Sequence, residues 1–225
     1  MKTKKSVVGK ILIYLFLILL ALLFLVPVFY VMYNSLLPKR YIGSFVMPSL
    51  WSLDNYKELF SEFPIMKWYG NTAISTVAVV LGNIFFTPLA GYGLAKLRFP
   101  GRKVIFICLM LSMMIPGQLV LLPQYIMMAK MGLVNTLLAI ILPYLSQSMF
   151  IFMSRQFFYG IPEELEEAAR IDGSGGFHTF NHIVLPMIKP ALAVQAIFTF
   201  VLEWNNYFVP ALIISSSRKK TLPIL

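Results

Sequence analysis

Residues 163–186 read Glu163-Glu164-Leu165-Glu166-Glu167-Ala168-Ala169-Arg170-Ile171-Asp172-Gly173-Ser174-Gly175-Gly176-Phe177-His178-Thr179-Phe180-Asn181-His182-Ile183-Val184-Leu185-Pro186. This polar stretch lies between long apolar runs and holds five of the nine acidic residues of the chain. Acid concentrated in one short loop marks either a docking surface or a solvated amphipathic loop, and charge pattern alone leaves both open. Pro162 suits the first turn of a helix, where its missing N–H costs nothing. Glu163 and Glu164 then sit at the positive end of the helix dipole. Leu165, Ala168, Ala169 and Asp172 recur at i, i+3, i+4 and i+7, a narrow, mostly small face for seating in a shallow groove. Glu166 and Arg170 are spaced to pair within the helix, whereas Glu163 and Glu167 at the same spacing repel. A basic partner outside the chain relieves that repulsion. Gly173, Gly175 and Gly176 end the helix. A second short helix then carries Phe177, Phe180 and Ile183 or Val184 on its apolar side, and Pro186 marks its end.

The flanking runs define the fold class. The chain has 225 residues, of which 59% are hydrophobic and only 12% charged, about half the charged share of a soluble domain. A bilayer core about 30 Å thick takes about 20 apolar residues per spanning helix. Runs of that size recur at Ile11–Pro38, Trp68–Ala95, Val104–Ala129, Met131–Ser154 and Pro190–Ser217, the last interrupted by Glu203. The expectation is an all-α polytopic membrane protein with spans at about 11–33, 71–95, 104–126, 136–158 and 190–214. The first run is too long for an ordinary signal peptide and reads as a retained anchor. Residues 1–67 form the first span and an external segment, in which Ser52 or Asp54 caps a short helix. Residues 68–225 form one cooperative unit around the 162–186 loop.

The net charge of +10 does not point to nucleic acid, because the basic residues flank the spans. Lys2, Lys4, Lys5 and Lys10 precede the first, and Lys96, Arg98, Arg102 and Lys103 fill the turn after the second. The positive-inside rule puts both places, and the 162–186 loop, in the cytoplasm. That topology leaves eleven basic residues inside and eight outside, with Arg218-Lys219-Lys220 on the outer side against the rule. Small residues at Gly82, Gly91 and Gly93 predict close helix packing along the second span. Pro116-Gly117 predicts a break in the third. The single cysteine, Cys108, excludes an intrachain disulfide and a cysteine metal site. His178 and His182 are four apart but lack a third ligand, so neither a metal nor a catalytic set is expected.

Glu167-Ala168-Ala169, Asp172-Gly173 and Ile183-x-Leu185-Pro186 resemble, in content and spacing, the EAA loop of ABC-importer permeases. Met114-Ile115-Pro116-Gly117-Gln118, Leu142-Pro143-Tyr144, Arg155-Gln156-Phe157-Phe158 and Trp204-Asn205-Asn206-Tyr207-Phe208-x-Pro210 are similar to the carbohydrate-uptake branch, in particular its maltose-type second permease. The resemblance covers essentially the whole chain. It implies the type-1 importer transmembrane fold (MetI-like), in the inner or plasma membrane with the N-terminus cytoplasmic. Its partners are ABC ATPase subunits, a second related permease, an extracytoplasmic sugar-binding protein and a carbohydrate substrate. ATP is used by the ATPase; this chain carries no Gly-x-x-x-x-Gly-Lys-[Ser/Thr] loop and binds no cofactor. The docking residues implied are Glu163, Glu164, Glu167, Ala168, Ala169, Asp172 and Gly173. Family members have one more span, so about five of an expected six are present and the C-terminal one is expected to be missing.

One departure concerns the fifth span. The family often carries an acid after Trp-Asn; here Asn206 stands there and the acid, Glu203, precedes Trp204. A carboxylate within a span is costly unless it faces a cavity or a partner, so Glu203 is either a pathway residue or a helix-packing partner. Glu203, Trp204, Asn205, Asn206 and Tyr207 together suit a sugar path, since aromatic faces and amide hydrogen bonds both fit polyols. The alternative is an ion- or proton-coupled secondary transporter that uses Glu203 as its coupling carboxylate. Against it stand the absence of internal repeats and the presence of only one such group. An integral membrane enzyme would need clustered His, Asp or Glu, which this chain lacks.

Overall fold

The computed structural model describes residues 7–46 and 50–224, which are helical without a strand among them. The chain divides into two compact units, Met1–Ile65 and Met66–Leu225.

In the first unit α1 (Val7–Ser35) runs unbroken through Pro27. Its apolar side chains from Ile11 to Met32 are exposed, a surface that demands lipid rather than water. Its carbonyl end is tied to α2 (Asp54–Glu62): the Asn55 amide donates to the Ser35 and Leu37 carbonyls at 3.0 and 2.7 Å. The expected cap is only partly realised. Asp54 is the first helical residue, and Ser52 Oγ accepts the Asp54 N–H at 3.4 Å.

The second unit is organised on α3 (Ile65–Lys96), which is 32 residues long, about 48 Å at 1.5 Å per residue. That exceeds the bilayer core, so both ends project into the interface. Its buried stripe includes Thr72, Ser75, Thr76, Val79, Gly82, Asn83, Thr87 and Gly91. Thr72, Ser75 and Thr87 return their hydroxyls to the carbonyl four residues back, which satisfies them inside the protein. Small residues let neighbours approach closely: a Cβ built on Gly91 meets Ser154 Cβ at 2.7 Å and the Arg155 nitrogen at 2.9 Å, and one built on Gly82 meets Leu145. Gly93, expected in the same seam, faces open space.

The remaining spans are interrupted. α4 (Arg102–Met114) and α5 (Gly117–Lys130) meet at 107° across Ile115-Pro116, where Pro116 cannot donate the hydrogen bond a continuing helix needs. α6 (Leu137–Ile141) passes through a 3-10 turn at Leu142–Tyr144, loses helical form at Leu145–Gln147 and resumes as α7 (Ser148–Tyr159). After α8 (Glu163–Ile171), α9 (Gly176–Thr179) leads into a π turn at Phe180–Val184 and α10 (Leu185–Met187). Pro186 stands one residue before the end of this helix at Met187, and the register widens ahead of it where Pro186 supplies no N–H. α11 (Lys189–Trp204) follows at 75°, and the expected fifth span is broken at Asn205–Tyr207 before α12 (Phe208–Ile213). α1, α3 and the segment Leu137–Tyr159 taken through its local break are each long and apolar enough to cross a membrane, and up to five segments are if each bent pair counts as one.

Two apolar clusters hold the unit. Ala95, Phe158, Ile161, Phe180, Val184 and Ile188 pack where α3 and α7 end. Met128, Ala139, Ile140, Val209 and Ile213 join α5, α6 and α12. At the start of α3, Asn71 donates to the Arg218 and Lys220 carbonyls at 3.0 and 2.8 Å, and the Leu222 N–H donates to Thr72 Oγ1 at 2.9 Å. The basic run 218–220 therefore lies at the opposite end of α3 from Lys96. We expect Gly91→Ala to lower stability by about 1–3 kcal/mol through overpacking against the α7 backbone, and Gly93→Ala to leave it unchanged or slightly raised. Thermal unfolding of both variants in detergent checks this; equal melting temperatures would contradict the seam.

Candidate functional site

α8 forms where the sequence places it. Pro162 is the residue just outside its first turn rather than within it. Glu163, Glu164 and Glu166 occupy that turn, beside the unsatisfied N–H groups. The C-terminus closes in a Schellman motif: the Ser174 N–H donates to the Ala169 carbonyl at 2.9 Å and the Gly173 N–H to the Arg170 carbonyl at 3.1 Å. Gly173 carries φ +81° there, which suits glycine.

The two faces of α8 differ in kind. Glu163, Glu164, Glu167, Ala168, Asp172 and Gly173 are exposed. Ala169 is not part of that surface: it is buried, because it lies one turn from Glu166 on the side that packs against the bundle. The expected Glu166–Arg170 pair is also absent. Glu166 turns inward, 3.2 Å from Lys96 Nζ, and accepts the Tyr92 hydroxyl at 2.9 Å. Lys96 Nζ further donates to the Ile161 carbonyl at 2.7 Å. The Lys96 and Glu166 side chains are 6% and 12% exposed, so this pair is shielded from solvent and salt in a way surface pairs are not. The latch fastens α8 to the end of α3. Nothing near Glu166 in sequence signals a partner 70 positions away. Lys96, Leu97, Arg98, Glu163, Glu166, Glu167 and Arg170 line a cleft of about 450 Å³ beside it. In the following segment Phe180 and Val184 enter the core, Phe177 is 75% exposed and Ile183 is half-buried.

The polar set of the fifth span is not brought together as one site. Glu203 and Asn206 converge, with the Asn206 amide donating to Glu203 Oε2 at 3.2 Å. Trp204 stacks on Phe200 and meets the edge of Tyr69. Asn205 returns its amide to the Val201 carbonyl at 2.7 Å, and Tyr207 is exposed against Phe208. Composition did not single out Gln147, whose amide reaches Glu203 Oε1 at 3.5 Å from the break before α7. Nor did it single out Asn83, fully buried on α3, which donates to the Tyr144 carbonyl at 2.6 Å and accepts the Gln147 N–H at 3.1 Å. Gln195 braces it, donating to the Asn83 carbonyl at 3.1 Å and to Thr87 Oγ1. Amides in otherwise apolar spans were the available signal. His178 and His182 stack with ring centroids 4.1 Å apart; no group of three or more potential metal ligands occurs among the described residues.

A bundle of apolar, interrupted helices with an acidic helix latched to one end is the architecture of a polytopic membrane protein. The chain belongs to the family described as binding-protein-dependent transport system inner membrane component, whose model matches residues 87–224. It is 37% identical over 79% of its length to the arabinooligosaccharides transport system permease protein AraQ of Halalkalibacterium halodurans, of which it spans 64%. It is 32% identical over 93% of its length to AraQ of Bacillus subtilis, covering 77% of that protein. To the maltodextrin transport system permease protein MdxG of Bacillus subtilis it is 31% identical over 96% of its length, covering 79% of that protein. A chain in the crystal structure of a bacterial ABC transporter involved in the import of the acidic polysaccharide alginate superposes with a TM-score of 0.80. The two are 25% identical, over 98% of this chain and 79% of the other. The type-1 importer fold and a multi-pass membrane protein follow.

The latch makes a distinguishing prediction. Lys96→Met leaves Glu166 charged and buried, and should loosen α8 by about 3 kcal/mol. The double variant Lys96→Met/Glu166→Leu removes the stranded charge and should recover most of that loss. Trypsin cleavage at Arg170, timed in detergent for both, reads the loosening; a double variant cut as fast as the single refutes it.

Proposed function

We propose that the chain is the permease subunit of an ATP-driven, binding-protein-dependent carbohydrate importer, forming half of a pathway completed by a second, related permease. It lies in the inner or plasma membrane with its N-terminus in the cytoplasm. An extracytoplasmic binding protein delivers sugar, and ABC ATPase subunits that hydrolyse ATP seat on the exposed acids of α8. Relatives named for arabinooligosaccharide and maltodextrin transport support the substrate class.

The observation that carries the coupling reading is the two-sided character of α8. Glu163, Glu164 and Glu167 are free for a basic partner, while Glu166 is committed inward to Lys96 and Tyr92. A helix that only solvated a loop would need no buried ion pair. A helix that transmits displacement needs one face for the partner and a stiff attachment on the other. Closure of the ATPase dimer pulls on the outer face. The latch and the Phe158–Phe180 contact then carry the movement into α3 and α7. The ATPase shifts the equilibrium between inward- and outward-open forms because its grip on α8 differs between them.

Glu167→Lys reverses charge at the exposed face without touching the latch. It should abolish ATP-driven uptake and co-purification of the ATPase while the permease inserts normally, since like charges across an interface cost several kcal/mol. Uptake in inverted and right-side-out vesicles, with ATP and the pH gradient varied separately, checks the assignment. Unchanged assembly and uptake would remove α8 from coupling, and uptake driven by the pH gradient alone would favour the secondary-transport reading.

A further inference from the structure

The end of α3 near Lys96 gathers more positive charge than the surrounding groups neutralise. Arg102 Nη1 donates to the Ala95 and Leu97 carbonyls at 3.5 and 3.0 Å. Arg155, on α7, donates from Nε to the Leu94 carbonyl at 3.1 Å. Carbonyls of the consecutive residues Leu94 and Ala95 thus hold two neighbouring guanidinium groups. Neither forms an ion pair among the described residues. A guanidinium cannot shed its charge. The carbonyl end of a helix offers only about half a negative charge, against two whole positive ones. The other cations at this end are answered. Glu166 pairs with Lys96, and Arg98 lines the α8 cleft together with Glu163 and Glu167.

The surroundings are those of a membrane interface. The Arg155 guanidinium lies 3.6 Å from the centre of the Phe106 ring and 4.4 Å from that of Tyr159, and its Nη2 donates to the Tyr159 hydroxyl at 2.7 Å. Phe106 in turn stacks on Phe152 of α7. Aromatic faces hold a guanidinium without neutralising it, and they fix the plane in which its remaining N–H groups point. Arg102 and Arg155 are both half-buried, so part of each still reaches the surface. Beside them α4 presents Lys103, Ile107 and Leu111, exposed at i, i+4 and i+8. That spacing makes one stripe, with a cation at its head and apolar side chains beyond it. A phospholipid has the same order along its length, an anionic headgroup and then apolar chains. Basic sites between membrane helices take anionic headgroups, and a guanidinium fork matches phosphate oxygens in pairs.

We propose that Arg102 and Arg155, with Lys103 beside them, bind the headgroup of an anionic phospholipid in the leaflet that meets the α8 end of the bundle. Its acyl chains lie along Ile107 and Leu111. The lipid neutralises the two guanidiniums and joins α4 to α7 where both meet the end of α3. This site is separate from the import reading and depends only on the bundle lying in a membrane.

The test uses the permease purified in detergent with the subunits that accompany it, titrated with phosphatidylglycerol or with phosphatidylcholine. Native mass spectrometry reads the affinity of the tightest bound lipid. Wild-type protein should prefer phosphatidylglycerol by more than about tenfold. Arg102→Gln and Arg155→Gln should each lower that preference about fivefold, the effect of one interfacial cation, and the double variant should abolish it. Arg155→Lys keeps the charge without the fork and should fall between wild type and Arg155→Gln. Arg218→Gln removes a cation at the opposite end of α3 and should leave the preference intact. If Arg155→Gln does not assemble, Arg102→Gln combined with Lys103→Gln, at an exposed position, decides the matter. Excess inorganic phosphate should not displace the lipid; displacement would assign the site to a free anion and overturn the proposal. Equal binding of the two lipids, as when another subunit covers this face, overturns it too. So does a preference that survives the double variant, or one that Arg218→Gln lowers as much, since diffuse charge would then account for it. Sugar uptake enters none of these outcomes and tests the import reading separately.

Discussion

The amide of Asn83 meets a requirement set by the membrane itself. Inside a bilayer there is no water to satisfy a broken helix, so every backbone group freed by an interruption must find a partner in the protein. The stretch between α6 and α7 frees several. Asn83 answers from α3 with one donor and one acceptor, and Gln195 and Thr87 hold it in place. Remove that answer and the fourth span has no reason to stop at Tyr144. The placement of Gln147 against Glu203 depends on it in turn.

The opposite need is met at the end of α3. There the polar groups are charged, near the interface, and paired. Lys96 is within hydrogen-bonding reach of both Glu166 and the Ile161 carbonyl, so one side chain closes the turn before α8 and anchors α8 itself. Tyr92, which donates to Glu166, packs against Phe158 and Phe180, and the low exposure of the pair limits screening by solvent. One helix therefore carries a neutral clamp in its middle and an ionic one at its end, each matched to the dielectric around it.

Much of this was legible in the sequence where the cause is local. The apolar runs reveal spans because lipid leaves no other fold for them, and Pro116-Gly117 shows its break because proline withholds a donor. The Gly173 turn announces the end of α8 for the same kind of reason. The breaks at Leu145–Gln147 and Asn205–Tyr207 contain neither proline nor glycine. The first is stabilised by Asn83, more than 60 positions away, which no window along the chain can detect. Ala169 and Glu166 face inward for a reason equally out of local reach: helical spacing tells which residues share a face, but not which face meets the bundle. The five residues 203–207 look alike in composition, yet the break separates Glu203 and Asn206 from Trp204.

At Gly91, α3 and α7 approach until a single Cβ has no room. Surfaces in such contact can neither slide past one another nor part cheaply, so the pair behaves as one stiff plate. A displacement delivered to either helix at this contact is therefore delivered to both.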